Sequence, residues 1–391
     1  MADVKREIER KYEAATDTRL PDLRKVAGVS AVVHRGVSEL DAVYYDTPDL
    51  RLAADSITLR RRSGGSDAGW HLKFPVAPGV RDEIQAPPAD TLPDSLASLL
   101  RSRVRAVEPV PVVRLLTTRD VHHLLDAEDG LLAEVSVDEV CAERLPEHGG
   151  PTAAWTEIEV ELADGGDPVL LDAVGKRLRK AGVRPATSTS KLARALAETA
   201  PATGAPVRTR QAAPGGREEA APVTAGDHVL AYVRRQAEAI VTLDPAVRRG
   251  LPDSLHRMRV ATRRLRSAFR TYRAVLDRAV TDPVGDELKW LATELGAGRD
   301  HEVLDARLRT RLGGVPRTLL LGPAEARLRL WSTAHGTASR ERVLAALDSA
   351  RYLALLDSLD AVLADPGLRE AGVRGRGGVG PGGGGRGGRG R

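Results

Sequence analysis

Charged side chains recur at every second position in several short segments of the N-terminal half of this chain. The segment EIERK places Glu7, Glu9 and Lys11 at alternating positions, and the segment EIEVEL, residues 157–162, carries three alternating glutamates. Residues two apart in a β-strand share one face, so each segment would present a row of carboxylates. Carboxylate oxygens are the ligands that hard cations such as Mg²⁺ and Mn²⁺ prefer. The two rows therefore indicate metal-dependent chemistry.

Basic side chains form similar rows in two other segments. Thr58, Arg60 and Arg62 alternate in SITLRRR, and His71 alternates with Lys73 in WHLKF. Arg and Lys bind phosphate oxygens, Arg through a bidentate fork. Because the rows are nearly pure in sign, they predict two complementary walls rather than a solvated outer face of mixed charge. A divalent cation opposite Arg and Lys side chains that bind phosphate is typical of sites that catalyse phosphoryl transfer.

The elements that must position these rows are antiparallel strands. Period-two alternation with β-branched residues, between Gly, Pro and Asp clusters, continues through residues 1–198 and includes a further row from Glu134 to Asp138. Helical patterns interrupt the strands near 92–106 and 168–182. The predicted class for this domain is α+β, dominated by its sheet.

Two changes in composition divide the rest of the chain. Residues 199–224 are rich in Pro, Ala, Gly and Thr without periodicity, which predicts a flexible linker. From 225 to 371 apolar residues recur at spacings of three and four, which predicts a helical domain. Residues 372–391 consist mainly of Gly and Arg and are expected to be disordered. The predicted helices of the second domain cover 253–279, 285–312 and 323–364.

Length and composition set the outer limits. With 391 residues the chain should form two or three domains, and its net charge of +5 suits a polyanionic partner. The single cysteine, Cys141, excludes an intrachain disulfide and a Cys-based zinc cluster. The N-terminus has no apolar stretch typical of a signal peptide, and no run of 18 apolar residues occurs. We therefore expect a cytoplasmic protein without a membrane span.

One predicted helix is strongly basic. Residues 253–273 contain seven Arg and a single acidic residue, Asp253. Solvated helix faces usually pair Arg with Glu one turn away, and this helix offers no such Glu. Unrelieved like charge favours a polyanion as the counterpart. The basic stripe, on the face opposite the apolar residues, consists of His256, Arg259, Arg263, Arg266 and Arg270.

A series of ordered elements across residues 1–198 resembles the CYTH superfamily, the triphosphate tunnel enzymes. The EIERK opening resembles the ExExK signature of that superfamily, and the closing TSTSKL resembles its Ser-Lys element. This resemblance implies an eight-stranded antiparallel barrel whose lumen is a tunnel. The intervening elements are YYDT at 44–47, LRRR at 59–62, HLK at 71–73, RDE at 81–83 and EIEVEL at 157–162.

The resemblance also implies roles for individual residues. Glu7, Glu9 and Lys11 would lie at the catalytic centre, where a glutamate of the first strand could act as general base. Glu157 and Asp138 would be weaker contributors to the acidic wall. The residues implied to hold the metal ions are Glu7, Glu9, Glu159 and Glu161. The residues implied to grip the triphosphate are Lys11, Arg60, Arg62, Lys73, Lys191 and either Arg114 or Arg119.

Several charged residues near these motifs are given structural interpretations. Arg81 and Glu83 are expected to pair with each other and brace the wall. His71, His122 and His123 show no metal-ligand spacing such as HExxH and are expected to be surface histidines.

The run HRMRVATRRLRSAF, followed by LGAGRDHEVLDARL, is similar to the first half of a CHAD domain. This resemblance implies a helical bundle that binds polyphosphate. The CHAD family usually carries a second His-x-x-Arg stripe in a later helix, and the sequence shows none, which predicts an incomplete CHAD domain.

The sequence as a whole predicts a CYTH–CHAD inorganic triphosphatase that cleaves tripolyphosphate to diphosphate and phosphate with Mg²⁺ or Mn²⁺. Two alternatives remain open. One is an enzyme for an organic triphosphate, either a thiamine triphosphatase or an adenylate cyclase. The other is a non-enzymatic polyphosphate-binding protein, with nucleic acid as a less favoured ligand. That last alternative leaves the acidic rows unexplained, since carboxylates repel polyanions unless metal intervenes.

Overall fold

The structure is a computed structural model that describes residues 3–145, 150–200 and 224–369, with only the backbone described for 297–302 and 317. The chain forms two units, Met1–Pro214 and Gly215–Arg391. The predicted linker lies almost entirely, and the Gly/Arg tail wholly, outside the described residues. The first unit contains the strands β1 (Asp3–Ala14), β2 (Ala31–Asp46), β3 (Thr58–Ser63), β4 (Gly69–Ala77), β5 (Val80–Ala86), β6 (Val110–Leu125), β7 (Leu131–Arg144), β8 (Thr152–Leu162) and β9 (Arg184–Pro185).

The eight long strands close into an antiparallel barrel. Their order is β5-β4-β3-β2-β6-β7-β8-β1, and β1 also pairs with β5. The first half of β1 pairs with β5 and the second half with β8, so a single strand seals the sheet. The sequence-based expectation of an eight-stranded antiparallel barrel followed by helices is confirmed.

Charged residues make up much of the barrel lumen, and large apolar clusters lie on its outer face. Three apolar clusters cover its outer surface, each completed by a helix or turn of the same unit. Burying these outward faces supplies the hydrophobic stabilisation that a polar lumen cannot. The covering helices are α1 (Arg51–Ala54), α2 (Asp94–Val104), α3 (Val169–Lys180) and α4 (Lys191–Glu198).

Helix α4 fixes the position of one lumen residue. Ser190 caps the helix by accepting a hydrogen bond from the backbone N–H of Ala193 at 3.0 Å. Leu192, Ala195 and Leu196 bury its apolar side against the barrel. The first helical residue, Lys191, is thereby held with its ammonium directed at strands β7 and β8.

The second unit is helical. Its core combines residues from all of its long helices, and buried Arg248 links the first of them to Asp348 at 2.5 Å and to the carbonyl of Leu347 at 2.8 Å. The helices are α5 (Ala225–Arg249), α6 (Ser254–Thr271), α7 (Arg278–Gly313), α8 (Ala324–Asp348) and α9 (Ala350–Ala364).

Two predicted helices are interrupted. The segment predicted over 253–279 ends at Thr271, and α7 starts anew at Arg278 after Asp277, whose side chain accepts a hydrogen bond from Ala279 N at 3.1 Å. The segment predicted over 323–364 breaks at Ser349, which caps α9. Apolar spacing continues across both breaks, so the periodicity alone did not reveal them. In the part of the chain that the structure describes, no helix is long and apolar enough to cross a membrane.

Candidate functional site

The lumen of the barrel encloses a cavity of about 750 Å³. Nine Lys or Arg and eight Asp or Glu side chains are among its described lining residues. The lining is therefore close to neutral although it is densely charged. Charges removed from bulk water need partners, so the pairing of these side chains determines what the cavity can bind.

Glu83 is the centre of one group of lumen charges. Its carboxylate lies 2.8 Å from Nδ1 of His71, 3.5 Å from Nζ of Lys73 and 3.8 Å from Nη2 of Arg60. Lys73 also donates to both carboxylate oxygens of Glu7, at 2.7 and 2.8 Å. Burial alone would raise the pKa of Glu83, but Lys73, the His71 hydrogen bond and Arg60 hold it well below its usual range. Glu83 is thus a fixed anion that positions three basic groups.

His71 corrects the expectation of a surface histidine. Its side chain is fully buried between Glu83 and the backbone carbonyl of Asp67, 2.8 Å from Nε2. It shares the inward face of β4 with Lys73, so period-two alternation already placed it in the lumen. Burial, despite the hydrogen bond to Glu83, lowers the pKa of His71 to about 4.

This buried histidine predicts acid sensitivity between pH 6.5 and 4. As the pH falls, the unfolded chain takes up a proton at His71 near 6.5, whereas the folded chain does so only near 4. Acid therefore favours the unfolded state across that window, by about 3 kcal/mol in total. His71→Gln, which can still donate to Glu83, should lose less stability between pH 7 and 4 in denaturant titrations. Equal losses in wild type and variant would contradict the assignment.

Glu159 is the centre of the second group. It forms ion pairs with Lys11, with Arg119 at 2.7 Å and with Lys191 at 2.6 Å. Burial opposes its ionisation, yet the three cations hold the pKa of Glu159 well below its usual range. Lys11 also contacts Glu9, at 2.9 Å. Strands β1, β6 and β8 and helix α4 thus converge on one carboxylate.

Asp138, Glu157 and Glu159 form a cluster of carboxylates whose oxygens lie within 4.8 Å of one another. The Nζ atom of Lys191 lies 2.9 Å from Asp138 and 2.8 Å from Glu157. Although burial disfavours its charge, these carboxylates raise the pKa of Lys191 well above its usual value. An all-oxygen anionic donor set fits a hard divalent cation, and the cluster could hold a metal.

The four glutamates predicted to bind metal do not form one cluster. Glu7 faces Lys73, Glu9 faces Lys11, and Glu159 belongs to the carboxylate cluster. Glu161 lies 2.5 Å from Nζ of Lys5, and burial together with the charge of Glu7 raises its pKa. All four line the cavity. Asp138 and Glu157, predicted as weaker contributors, are the residues that join Glu159 in the cluster.

Arg60 and Arg62 both point into the cavity from β3. Nη1 of Arg60 donates to the hydroxyl of Tyr44 at 3.4 Å, and Arg62 forms an ion pair with Asp67. Burial, together with the charges of Arg60 and Arg119, lowers the pKa of Arg62 to about 9. A desolvated cation among other cations attracts anions strongly. The sequence placed Tyr44 in the YYDT element without giving it a role, and it gave no signal for Asp67, since no charged row contained either residue.

Arg114 and Arg119, between which the sequence left a choice, lie on opposite faces of β6. Arg119 faces the lumen and holds Asp138 with two bonds, at 2.8 and 2.6 Å. Arg114, five residues earlier, lies on the outer face, where it pairs with Asp41. An odd separation along a strand puts two residues on opposite faces, and the register selects Arg119.

Arg81 and Glu83 do not form the pair expected from the sequence. Nη2 of Arg81 donates to the carbonyl of Thr189 at 2.5 Å, and Glu83 contacts the three basic groups described above. Arg81 is therefore tied to the segment that precedes α4.

The basic stripe lies on one face of α6, and Met258, Leu265 and Phe269 are buried on another. Arg263 and Arg270 are exposed, while His256, Arg259 and Arg266 are half-buried. Within the described part of the chain, no carboxylate forms an ion pair with Arg263, Arg266 or Arg270. Their charge is thus available to an external anion.

Comparison with known proteins agrees with this geometry. The CYTH domain family matches residues 5–195, and the CHAD domain family matches residues 231–377. Two uncharacterized proteins of Mycobacterium tuberculosis, from strains CDC 1551 and H37Rv, are each 37% identical over 373 residues, which is 92% of this chain and 70% of theirs.

Two solved structures show partial similarity to this chain at low identity. PptA from Streptomyces chartreusis is 24% identical, with a TM-score of 0.33, and the match covers 38% of this chain and 53% of that one. A candidate adenylyl cyclase from Hippeastrum with a dominant triphosphatase activity is 18% identical, with a TM-score of 0.31, over 48% of this chain and 94% of that one.

A barrel with a polar lumen, followed by a helical domain that carries a basic stripe, defines a tunnel-type protein with an attached helical module. The chain belongs to the CYTH family, with a CHAD domain following the CYTH domain.

Proposed function

We propose that the barrel hydrolyses inorganic tripolyphosphate to diphosphate and phosphate, with Mg²⁺ or Mn²⁺, and that the helical domain binds polyphosphate. The observation that carries this proposal is the set of lumen cations, each held in place by carboxylates of the barrel strands. The set consists of Lys11, Lys73, Arg119 and Lys191.

These cations are preorganised for a phosphate chain. Each is fixed by ion pairs before any ligand enters, so little reorganisation is needed when charge develops on the phosphate oxygens. In the proposal, Lys11, Lys73 and Lys191 bind the chain with Arg60, Arg62 and Arg119. Water attacks the terminal phosphorus, the bond to the bridging oxygen breaks, and diphosphate leaves.

The carboxylates have a separate role. Eight Asp and Glu side chains offset the nine Lys and Arg side chains of the lumen, so its net attraction for a polyanion is small unless further cations are bound. We assign metal binding to Glu7, Glu9, Glu159 and Glu161, together with Asp138 and Glu157. A bound Mg²⁺ or Mn²⁺ would neutralise phosphate charge and favour ionisation of the attacking water.

The lining favours an inorganic substrate over a nucleotide or thiamine. Among the described lining residues the aromatic rings are those of Tyr44 and His123. The Tyr44 hydroxyl contacts Arg60, so this ring belongs to the phosphate-binding wall. Recognition of a flat organic base usually relies on stacking and apolar contacts, and this lining offers few.

Phosphate release from the full-length chain tests the proposal. With Mg²⁺ or Mn²⁺ we expect rapid release from tripolyphosphate, slower release from ATP and thiamine triphosphate, and none with EDTA. Preference for ATP or thiamine triphosphate would overturn the inorganic substrate but keep the tunnel chemistry. No release from any of the three would overturn the enzymatic proposal.

Polyphosphate binding by α6 makes a separate prediction. Replacing Arg259 and Arg263 together with alanine should weaken binding of long-chain polyphosphate about 30- to 150-fold, since each charge-assisted contact contributes about 1 to 1.5 kcal/mol. Binding should also weaken steeply as salt rises. Fluorescence anisotropy with labelled polyphosphate measures both effects.

A matched control lies on the same helix. Arg257 and Arg264 are exposed but lie outside the basic stripe, so their joint replacement with alanine removes the same charge from another face. Equal losses for the two double variants would show that net charge alone, rather than the stripe, binds polyphosphate.

A further inference from the structure

Two histidines and an aspartate meet on the outer surface of the barrel, away from the lumen. Nε2 of His34, on β2, lies 2.7 Å from Oδ1 of Asp120, on β6. Nδ1 of His122, also on β6, lies 3.9 Å from the same oxygen. The two imidazole rings are 5.0 Å apart between centroids. One candidate ligand atom from each residue lies within 4.8 Å of the other two.

A β-bulge creates this cluster. Val37 pairs with Asp120 and Gly36 with Val121, but His34 pairs with His122, so Arg35 is an extra residue in β2. Gly36 has φ of +106°, a conformation that L side chains rarely adopt. The extra residue moves His34 from the inward set of β2 to the outward set. His34 and His122 then stand side by side on the same face.

One ring nitrogen in the cluster lacks a hydrogen bond. Nδ1 of His122 is buried and finds no hydrogen-bond partner among the described residues. Buried polar atoms normally have partners, and an exception calls for an explanation such as a bound ion. Nδ1 of His122 and Nε2 of His34 both face Oδ1 of Asp120.

We propose that His34, Asp120 and His122 bind a transition-metal ion such as Zn²⁺ on the outside of the barrel. Two imidazoles and one carboxylate form a donor set suited to zinc, unlike the all-carboxylate donors of the lumen. Zinc bonds of about 2.0–2.1 Å place tetrahedral ligands roughly 3.3 Å apart. The separations from Oδ1 of Asp120, 2.7 Å to Nε2 of His34 and 3.9 Å to Nδ1 of His122, lie on either side of that value, so small side-chain rotations would complete the site.

The ion would act on a segment that also lines the cavity. Arg35, Gly36 and Val37, which follow His34 in the bulged segment, are among the lining residues. A metal that links β2 to β6 at this bulge would fix the position of the segment. The site lies outside the lumen and does not depend on the proposed hydrolytic activity.

Zinc titration of the full-length chain tests the proposal. The protein is freed of metals with EDTA and titrated with Zn²⁺ against a chromophoric zinc indicator, with excess Mg²⁺ to compete at the carboxylate sites. Loss of an outer-shell partner already costs 10- to 100-fold in metal affinity. Removing a direct ligand by His34→Ala or His122→Ala should therefore lower the affinity for one equivalent of Zn²⁺ by about 100-fold or more.

Two controls make the outcome decisive. His228→Ala, at an exposed position of α5, removes a histidine elsewhere and should leave the titration unchanged. Because His122 is half-buried, His34→Gln, at a more exposed position, provides a variant that should fold normally. Anomalous scattering at the zinc edge should place the ion between His34 and His122. Wild-type zinc binding by His34→Gln, or zinc found solely in the lumen, would overturn the proposal.

Discussion

Replacing Glu159 with glutamine should reduce kcat for tripolyphosphate hydrolysis about a thousandfold while the protein stays folded. Glu159 is the carboxylate on which Lys11, Arg119 and Lys191 converge, and it belongs to the cluster assigned to metal. A neutral amide neither neutralises a divalent cation nor holds the three basic groups in place. Removing one preorganised electrostatic contact typically costs about 10²–10³ in rate, and here two functions disappear together.

The fold should tolerate this change because each affected cation retains another partner. Lys11 keeps Glu9, Arg119 keeps Asp138, and Lys191 keeps both Asp138 and Glu157. A buried charge left with no partner would cost about 3–5 kcal/mol, but none of the three is left in that state.

Steady-state phosphate release and a thermal melt together check the prediction. Glu139→Gln is the matched control, since Glu139 is exposed on the same region of β7 that carries Asp138 inward. A Glu159→Gln protein that is folded and turns over within twofold of wild type would remove Glu159 from the site.

The face of each strand could be predicted from sequence because a strand has a fixed period of two. Once EIERK, SITLRRR and EIEVEL were interpreted as strands, Glu7, Arg60 and Glu159 had to share a side with their alternate neighbours, and the structure places all three in the cavity. The same rule placed His71 beside Lys73. The surface interpretation of His71 was wrong because it relied on the absence of a metal motif rather than on the strand period.

The pairing of lumen residues could not be predicted from sequence. Glu159 and Lys191 lie 32 positions apart and Glu7 and Lys73 lie 66 apart, so their contacts depend on the order and stagger of strands around the barrel. A bulge is equally hidden in the sequence. The single extra residue beside Gly36 places the side chain of His34 on the other face of the strand. No alternation pattern in that segment predicts the bulge.

Strand β6 shows the same limit in another form. The sequence PVVRLLTTR contains adjacent apolar pairs, so it fixes no inward face, and Arg114 and Arg119 remained equivalent. The register with β7 resolves them, because it pairs Arg119 with Asp138 and Arg114 with Glu143.

This resolved pair gives the second large expected effect. Arg119→Gln should lower kcat/KM for tripolyphosphate at least about a hundredfold, since a bidentate guanidinium in a desolvated lumen is lost. Arg114→Gln, on the same strand, should stay within about twofold, because an exposed ion pair such as that with Asp41 contributes about 0–1 kcal/mol and lies outside the cavity.

Arg119→Gln and Arg114→Gln are matched in residue type, strand and substitution. The difference between them therefore measures the effect of placing the charge inside rather than outside the barrel. Asp138 keeps Lys191 as a partner in Arg119→Gln, which should preserve the fold. Arg119→Lys would keep the charge and lose the fork, and we expect an intermediate kcat/KM. If both glutamine variants lost activity equally, the two arginines would contribute to the stability of the barrel rather than to substrate binding. Both variants would then also melt at a lower temperature than wild type. If neither lost activity, the phosphate chain would not reach Arg119, and binding would have to rest on the wall formed by Arg60, Arg62 and Lys73.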